Sequence, residues 1–230
     1  MHNITILDTE TANSVDTPLP YDIGYQIVEV PTQKVLVKRS FIVQETFMDK
    51  SLMTSAYYAK KLPKYWEDLK SGKREMKRIT TIKKIIAEDM KKYDCKLVGA
   101  YNMAFDNRAT KNGIRYNTYS AYRWFFPYGT EFFCIWNMAC TSFMRSKHYI
   151  KWALKNGFVS PSGNIQTSAE VAYRYITKNN DFVESHTGLE DVEIETAIFF
   201  KVLQSKMKFE FDVQYAPWRV VQRYREEFGL

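Results

Sequence analysis

The order of its apolar segments constrains the fold of this 230-residue chain more than any other feature. Three early segments are rich in β-branched and aromatic residues and predict strands: NITIL (3–7), DIGYQIVEV (22–30) and VLVKRSFIV (35–43). PTQK predicts a turn between the last two, so we expect a meander. KLVGAYN (96–102) and EFFCIWN (131–137) predict two more strands, each followed by a helix. Strands followed by strand–helix units predict an α/β fold, a mixed five-stranded sheet with helices on both faces.

Length and composition predict a single domain over residues 1–230. The chain is long enough for a sizeable core, and it has no internal repeat and no linker rich in Gly, Pro or Ser. No apolar run reaches the length of a membrane span, and the first strand starts too early for a signal peptide. The three cysteines, an odd number without a Cys-x-x-Cys pair, indicate buried thiols in a reducing, cytoplasmic setting.

Two carboxylates, Asp8 and Glu10, follow the first predicted strand. Side chains of extended chain alternate between faces, so these two are expected to project to the same side. Adjacent acids repel each other unless a cation lies between them, and hard cations such as Mg²⁺ and Mn²⁺ prefer carboxylate oxygens. The pattern therefore predicts a metal site, with an acidic turn that binds nothing as the alternative.

A further carboxylate, Asp106, falls in the first turn of the helix predicted for AFDNRATKNG, which Gly113 is expected to end. The helix dipole favours an ionised acid at this position. Asp106 could hold a metal ion or its water, or it could be an ordinary first-turn acid.

A third group of candidate residues surrounds the start of a long helix near the C-terminal end of the chain. Thr187 and Glu190 have the spacing of a capping box, so the helix is expected to begin near Gly188. Asp191 lies in its first turns, and His186 precedes it. An imidazole can take a proton from water at neutral pH. The alternative is a structural histidine beside a helix cap.

These three groups occur in an order that resembles the DEDDh 3′→5′ exonucleases. A related class of exonucleases has Tyr four residues before the last Asp, where this chain has Thr187. The chain departs from the common pattern at Ala12, Asn13 and Tyr101, and Gly188 is a small residue where Ala is common. None of these removes a ligand or the base, but the departures that border the family's pocket for the terminal nucleotide leave the choice of substrate open. The residues that carry the resemblance are Asp8, Glu10, Thr11, Asn102, Phe105, Asp106, His186, Gly188 and Asp191.

The resemblance implies a ribonuclease-H-like fold and a two-metal site for Mg²⁺ or Mn²⁺. In that family's arrangement Asp8 bridges both ions, Glu10 and Asp191 complete one shell, and Asp106 orients the other ion through water. His186 is implied as the base that deprotonates the attacking water. Thr9, Thr11, Asn102 and Phe105 are implied as substrate contacts.

The net charge of +7 is concentrated in one part of the chain. Residues 60–92 contain twelve Lys or Arg and five acids, so this stretch alone accounts for the +7. We predict a basic helical segment at about 50–92 that tracks a phosphate backbone, with a solvated helix face as the alternative. The predicted contacts are Lys73, Arg74, Lys77 and Arg78.

Two other regions have a recognisable pattern. Residues 116–136 are dense in aromatic side chains, most of which we expect in the core or over the sheet, with one or two facing a single strand. A C-terminal helix at about 217–228, with Pro217 at its first position, is expected to dock onto the domain.

The sequence thus predicts a metal-dependent 3′→5′ exonuclease that acts on nucleic acid with a free 3′ end, with single strands preferred, and without a membrane partner. DNA or RNA, and the oligomeric state, stay open. The rival is a non-catalytic protein on the same fold that binds nucleic acid or a host factor. Abundant Lys, Tyr, Asn and Ile resemble the composition of phage proteins from AT-rich hosts, which would place the protein in the host cytoplasm.

Overall fold

The structure is a computed structural model that describes residues 2–56 and 59–230, so Tyr57 and Tyr58 of the predicted basic segment lie outside the described residues. Its sheet has six strands in the order β4-β3-β2-β1-β5-β6. The first three strands are antiparallel neighbours, which confirms the predicted meander, while β5 runs parallel to β1 and β4 parallel to β3. The strands are β1 (Asn3–Ala12), β2 (Leu19–Glu29), β3 (Lys34–Val43), β4 (Glu75–Lys77), β5 (Leu97–Ala100) and β6 (Glu131–Cys134).

Ten α-helices lie among residues 2–56 and 59–230, with short 3₁₀ helices at Ala59–Lys61 and Phe143–Arg145. Their N-terminal turns are capped by side chains in several places, as where Asp49, Ser146 and Ser168 each accept a backbone N–H. The helices are α1 (Gln44–Phe47), α2 (Lys50–Thr54), α3 (Leu62–Lys70), α4 (Ile79–Lys92), α5 (Met103–Thr118), α6 (Ile135–Thr141), α7 (Lys147–Lys155), α8 (Ala169–Thr177), α9 (Gly188–Gln204) and α10 (Trp218–Glu227).

The sheet has six strands where five were predicted, because the basic segment contains the short strand β4. Its residues pair with Phe41–Val43 at the end of β3. Three residues of alternating charge carry no apolar periodicity, so nothing in this stretch distinguished an edge strand from the predicted helix. The segment is therefore α2, α3, β4 and α4 rather than continuous helix.

Helix α5 continues through Gly113 to Thr118, so the prediction that Gly113 ends this helix is wrong. A Cβ at Gly113 would lie 2.5 Å from Ile79 Cδ1 and 3.0 Å from the ring of Pro20. The glycine allows α5 to approach α4 and β2 closely, and this packing outweighs its low helix propensity.

The described chain divides into two compact units. The first comprises Met1–Gly99, Ala104–Glu131 and Ser185–Val192. Its interior contains fully buried residues of β1 and β2, such as Ile6, Ile23 and Ile27. Next to α1, α2 and α3 lies an apolar cluster made of Ala12, Tyr21, Ile42, Phe47, Met53, Ala56 and Tyr65.

The second unit comprises Ala100–Met103, Phe132–Glu184 and Glu193–Leu230. Phe133 stacks on Phe211 with ring centroids 4.6 Å apart. Helix α10 docks within this unit, as predicted, through the fully buried Val221 and a 2.9 Å hydrogen bond from Arg145 to the Tyr224 hydroxyl. Pro217 forms its N-cap rather than its first turn.

Half of the aromatic residues in 116–136 are exposed, so the prediction that most of them are buried is wrong. Phe125, Phe126 and Phe133 are buried. The loop that follows α5 has no regular structure to turn its rings inward. The exposed residues are Tyr116, Tyr119, Tyr122, Trp124 and Tyr128.

Among residues 2–56 and 59–230, no helix combines the length and the apolar character that crossing a bilayer requires.

Candidate active site

Asp8 and Glu10 lie within β1, which extends beyond the predicted end of this strand to Ala12. The regular register pairs Asp8 with Gly24 and Glu10 with Asp22, and a bulge follows Glu10. Both carboxylates are half-buried and separated by one residue of unbroken strand, so they share a face of the sheet as predicted. Rigid pairing to β2 fixes their backbone.

Asp106 is hydrogen-bonded to Thr9, the residue between these two acids. Thr9 donates to Asp106 Oδ1 from its backbone N–H at 3.0 Å and from its hydroxyl at 2.8 Å. The carboxyl is only 2% exposed, and this burial raises its pKa to about 7, although the bonds from Thr9 act to lower it. A cation close by would favour the ionised form of a carboxyl in this environment.

Helix α9 begins at Gly188, as predicted, and its start brings His186 and Asp191 close to Glu10. Glu10, His186 and Asp191 each offer a ligand atom within 4.8 Å of the others. His186 has φ +49°, a left-handed conformation that is uncommon for a residue with a side chain. The chain therefore turns sharply at His186, immediately before Thr187 and the helix.

Strand β2 explains how α9 reaches β1. A Cβ on Gly24 would lie 2.2 Å from the carbonyl carbon of Gly188, so only glycine allows the two backbones to approach this closely. Asp22 Oδ2 accepts the Gly188 N–H at 3.0 Å and so caps the helix from another strand. Because β2 pairs Gly24 with Asp8 and Asp22 with Glu10, the start of α9 lies next to both acids.

The capping box predicted from Thr187 and Glu190 takes a different form. The Thr187 hydroxyl donates to the Glu190 carboxylate. Burial alone would raise the pKa of Glu190, but Lys73, Thr187 and Arg74 lower it to about 2. Glu190 is thus an ionised partner for two cations from the basic segment.

Arg74 is buried, in contrast to its predicted place on a surface track for nucleic acid. Its side chain is 0% exposed, and its guanidinium donates to Asp22 at 2.9 Å, Asp68 at 3.0 Å and Glu190 at 2.6 Å, and also to Ser40. Burial acts to lower the pKa of Arg74, and these acids overcome it and raise it. Arg74 therefore holds Asp22 and Glu190, which flank the start of α9.

The other predicted substrate contacts have varied environments. Lys73 is exposed and forms an ion pair with Glu190 at 2.6 Å, while Lys77 is paired with Glu75 at 3.0 Å. Arg78 is an exposed residue at the N-cap of α4. Glu190 of α9 and Glu75 of the basic segment thus offset part of the basic charge.

Next to Asp106 in the sequence, Phe105 is half-buried beneath the guanidinium of Arg108, which lies 5.6 Å from the centroid of the Phe105 ring. Asn102 is exposed with φ +79°. Thr9 is buried against Asp106, and Thr11 is half-buried just after the β1 bulge. Roles for these four residues in substrate binding stay predictions.

The donor set fits a hard divalent cation. The carboxylates of Glu10 and Asp191, whose ligand atoms lie within 4.8 Å of each other, offer the oxygen ligands that Mg²⁺ prefers, and His186 lies beside them. A buried carboxyl with a raised pKa, such as Asp106, also gains from a cation. Glu10, Asp106 and Asp191 could hold Mg²⁺ or Mn²⁺, together with Asp8.

No family model and no curated protein matches the sequence. Solved structures do match. A 3′-exonuclease described in the 3′-end specific recognition of a histone mRNA stem-loop has 11% identity and a TM-score of 0.59, with 94% of this chain and 88% of that chain covered. The nuclease domain of 3′hExo, described as a DEDDh family member bound to rAMP, has 12% identity and a TM-score of 0.56, with 92% and 97% covered.

The chain has the ribonuclease-H-like fold of the DEDDh 3′-exonucleases. A third structure with this fold, E. coli Exonuclease I in complex with a dA16 oligonucleotide, has 14% identity and a TM-score of 0.52. The match covers 97% of this chain but 43% of Exonuclease I, so the chain spans less than half of that protein.

The ion pairs of Arg74 with Asp22, Asp68 and Glu190 give it a testable structural role. We expect Arg74→Met to lower the free energy of unfolding by about 3–5 kcal/mol, because it leaves Asp22 buried without its cation. Urea unfolding measures this. Lys73→Met is the matched control, since the pair of Lys73 with Glu190 is on the surface and contributes at most about 1 kcal/mol. Equal, small losses in both variants would contradict the role.

Asp106 gives a pH-dependent prediction for the metal-free protein. Its pKa is about 7 in the folded state, above the ordinary 3.8, so the folded protein keeps this proton where the unfolded chain loses it. The contribution of the Asp106 carboxyl to the free energy of unfolding is therefore fully present below pH 3.8 and is lost as the pH rises to about 7. Asp106→Asn removes this loss and keeps an oxygen for Thr9.

We expect Asp106→Asn to match the wild type at about pH 4 and to exceed it by up to ~4 kcal/mol at pH 8. The measurement is urea unfolding in EDTA across this range. Asp16→Asn, which changes an exposed acid, should show no such trend. A stability difference that does not change with pH would contradict the burial of an ionisable carboxyl at this position.

Proposed function

We propose that this protein is a metal-dependent 3′→5′ exonuclease that hydrolyses phosphodiester bonds at the 3′ end of DNA or RNA. The convergence of Glu10, His186 and Asp191, whose ligand atoms lie within 4.8 Å of one another, carries the proposal. The two hydrogen bonds from Thr9, which lies between Asp8 and Glu10, to Asp106 support the inclusion of Asp106 in the proposed site. The fold shared with 3′-exonucleases supports the class of reaction.

In this proposal Asp8, Glu10, Asp106 and Asp191 hold two Mg²⁺ or Mn²⁺ ions. Bound there, the ions would stabilise the negative charge that develops on the phosphate and on the leaving oxygen. Thr9 keeps the Asp106 carboxylate in a fixed orientation through its two hydrogen bonds. Strand β1 fixes Asp8 and Glu10 on one face before the substrate arrives.

His186 would accept the proton of the attacking water. Its backbone turn at φ +49° places the imidazole beside the carboxylates of Glu10 and Asp191. Carboxylates at that range stabilise the imidazolium that forms when the proton is taken up. The contacts of Gly188 with Asp22 and Gly24 hold this turn against β2 and so support the proposed position of the base.

The substrate we propose is a nucleic acid with a free 3′ end, with single strands preferred. Neighbouring structures contain the oligonucleotides dA16 and dT13 or rAMP. Lys73, Lys77 and Arg78 stay predicted phosphate contacts, whereas the burial of Arg74 removes it from that set. Buried free thiols at Cys95, Cys134 and Cys140 fit the cytoplasmic location that we propose.

Release of mononucleotides from single-stranded DNA and RNA tests this function. We expect release in Mg²⁺ or Mn²⁺ and none in EDTA. The ratio of the release rates from DNA and from RNA gives the preferred sugar. A non-catalytic binding protein on the same fold would bind both strands and release nothing. Binding without release in either metal would therefore favour that rival.

A further inference from the structure

The loop between α5 and β6 exposes an unusual set of aromatic rings. Tyr119 is 95% exposed, Tyr122 79%, Trp124 65% and Tyr128 108%. We call residues 119–128 the aromatic loop. Scattered surface aromatics need no explanation, but several large rings within one loop indicate a binding surface.

The stretch of chain that carries these rings has a net positive charge. Residues 111–130 contain Lys111, Arg115 and Arg123 and no acid. The Lys111 ammonium lies 5.0 Å from the centroid of the Trp124 ring. Lys83 of α4 donates a hydrogen bond to the Trp124 carbonyl and fixes the backbone there. A binding partner for this loop therefore has to be compatible with aromatic faces and with the positive charge of residues 111–130.

Helix α5 sets the distance from the aromatic loop to the site. Both lie in the first unit, where Asp106 is in the first turn of α5 and the loop follows its last residue, Thr118. At 1.5 Å per residue, Asp106 and Thr118 are about 18 Å apart along the helix axis. A stacked strand rises ~3.4 Å per nucleotide, so the loop lies about five nucleotides from a 3′ end held at the site.

We propose that the aromatic loop binds the single strand upstream of its 3′ end by stacking bases on Tyr119, Tyr122 and Tyr128. This inference rests on the proposed exonuclease function, which places the 3′ end at the site. Every base has a face that can stack on an aromatic ring, and cations between the rings attract the phosphates. The cores of protein interfaces are depleted of charged residues, so this combination favours a nucleic acid over a protein partner.

Equilibrium binding in EDTA, which prevents hydrolysis, tests the aromatic loop. The probes are 5′-fluorescein-labelled oligodeoxynucleotides of three and twelve residues. The variant Tyr119→Ser/Tyr122→Ser/Tyr128→Ser should bind the 12-mer at least about tenfold more weakly, because each stacked base contributes about 5- to 150-fold. It should bind the 3-mer as the wild type does, since three nucleotides do not reach the loop.

Two matched variants separate stacking from folding. The corresponding triple Tyr→Phe variant keeps the rings and should retain wild-type affinity for the 12-mer. Tyr215→Ser changes an equally exposed tyrosine of the second unit, 92% exposed, and should have no effect. An equal loss in the Phe and Ser variants would contradict stacking.

A 12-mer without bases at positions 4–8 from its 3′ end completes the test. The wild type should bind it as weakly as the Ser variant binds the intact strand, and the Ser variant should not discriminate between the two strands. Undiminished binding of the intact 12-mer by the Ser variant would overturn the proposal and would leave the loop as a surface for a protein. Weaker binding of the 12-mer by the Ser variant, together with no cleavage by the wild type in Mg²⁺, would instead refute the exonuclease function and leave the binding role of the loop intact.

Discussion

Asp8→Asn is expected to lower kcat by about 10³-fold or more. Asn has nearly the same size and keeps the pairing of this position with Gly24, so the strand should be unchanged. The substitution removes one negative charge from a residue that would hold the metal ions. Metal ions contribute several kcal/mol of charge stabilisation, and each 1.36 kcal/mol corresponds to a factor of ten in rate. Steady-state hydrolysis of a single strand in Mg²⁺ measures the loss.

Asp16→Asn is the matched control for Asp8→Asn, because Asp16 is an exposed acid in the loop that follows β1. It should retain wild-type kcat. The Asp8 variant should also show a weaker response of its melting temperature to Mg²⁺ or Mn²⁺ than the control does. A folded Asp8→Asn protein with wild-type turnover would exclude Asp8 from the metal site.

His186→Asn is expected to lower kcat by about 10²–10⁴-fold, the usual contribution of a positioned general base. Asn is chosen because it tolerates the left-handed conformation that His186 adopts at φ +49° better than most residues. KM should change little, since no substrate contact is removed. The acidic limb of the pH–rate profile should disappear together with the base.

The control for His186→Asn is His2→Asn. The side chain of His2 is 69% exposed, and its Nε2 lies 3.2 Å from Oε1 of Glu29. It should leave both the rate and the pH profile unchanged. A His186 variant that keeps its acidic limb but needs much more Mg²⁺ would identify His186 as a metal ligand and contradict the role of base. Both outcomes are read from kcat measured against pH and against metal concentration.

Features that depend on residues close together in the sequence were predictable from it. The meander, the spacing of Asp8 and Glu10 along one strand, and the start of α9 at Gly188 all follow from local patterns. Gly113 shows the limit of such patterns. Its effect on the helix is decided by the close approach of Ile79 and Pro20, which lie far away in sequence.

The residues that assemble the site were missed because their roles arise from contacts between distant segments. Asp22 caps α9 across 166 residues, and Arg74 contacts Glu190 across 116 residues. A glycine inside a strand, such as Gly24, often marks the close approach of another backbone, and a lone acid among apolar strand residues requires a buried partner. These two signals were present in the sequence, but neither identifies the partner.

Digestion of one strand labelled at its 5′ end or at its 3′ end tests the proposed polarity most directly. In Mg²⁺ we expect the 3′ label to be released first, as a mononucleotide, while the 5′-labelled strand shortens in a ladder from full length. EDTA and the Asp8→Asn variant should both abolish this pattern. Early release of the 5′ label, internal fragments without a ladder, or the same ladder in EDTA would contradict a metal-dependent 3′→5′ exonuclease.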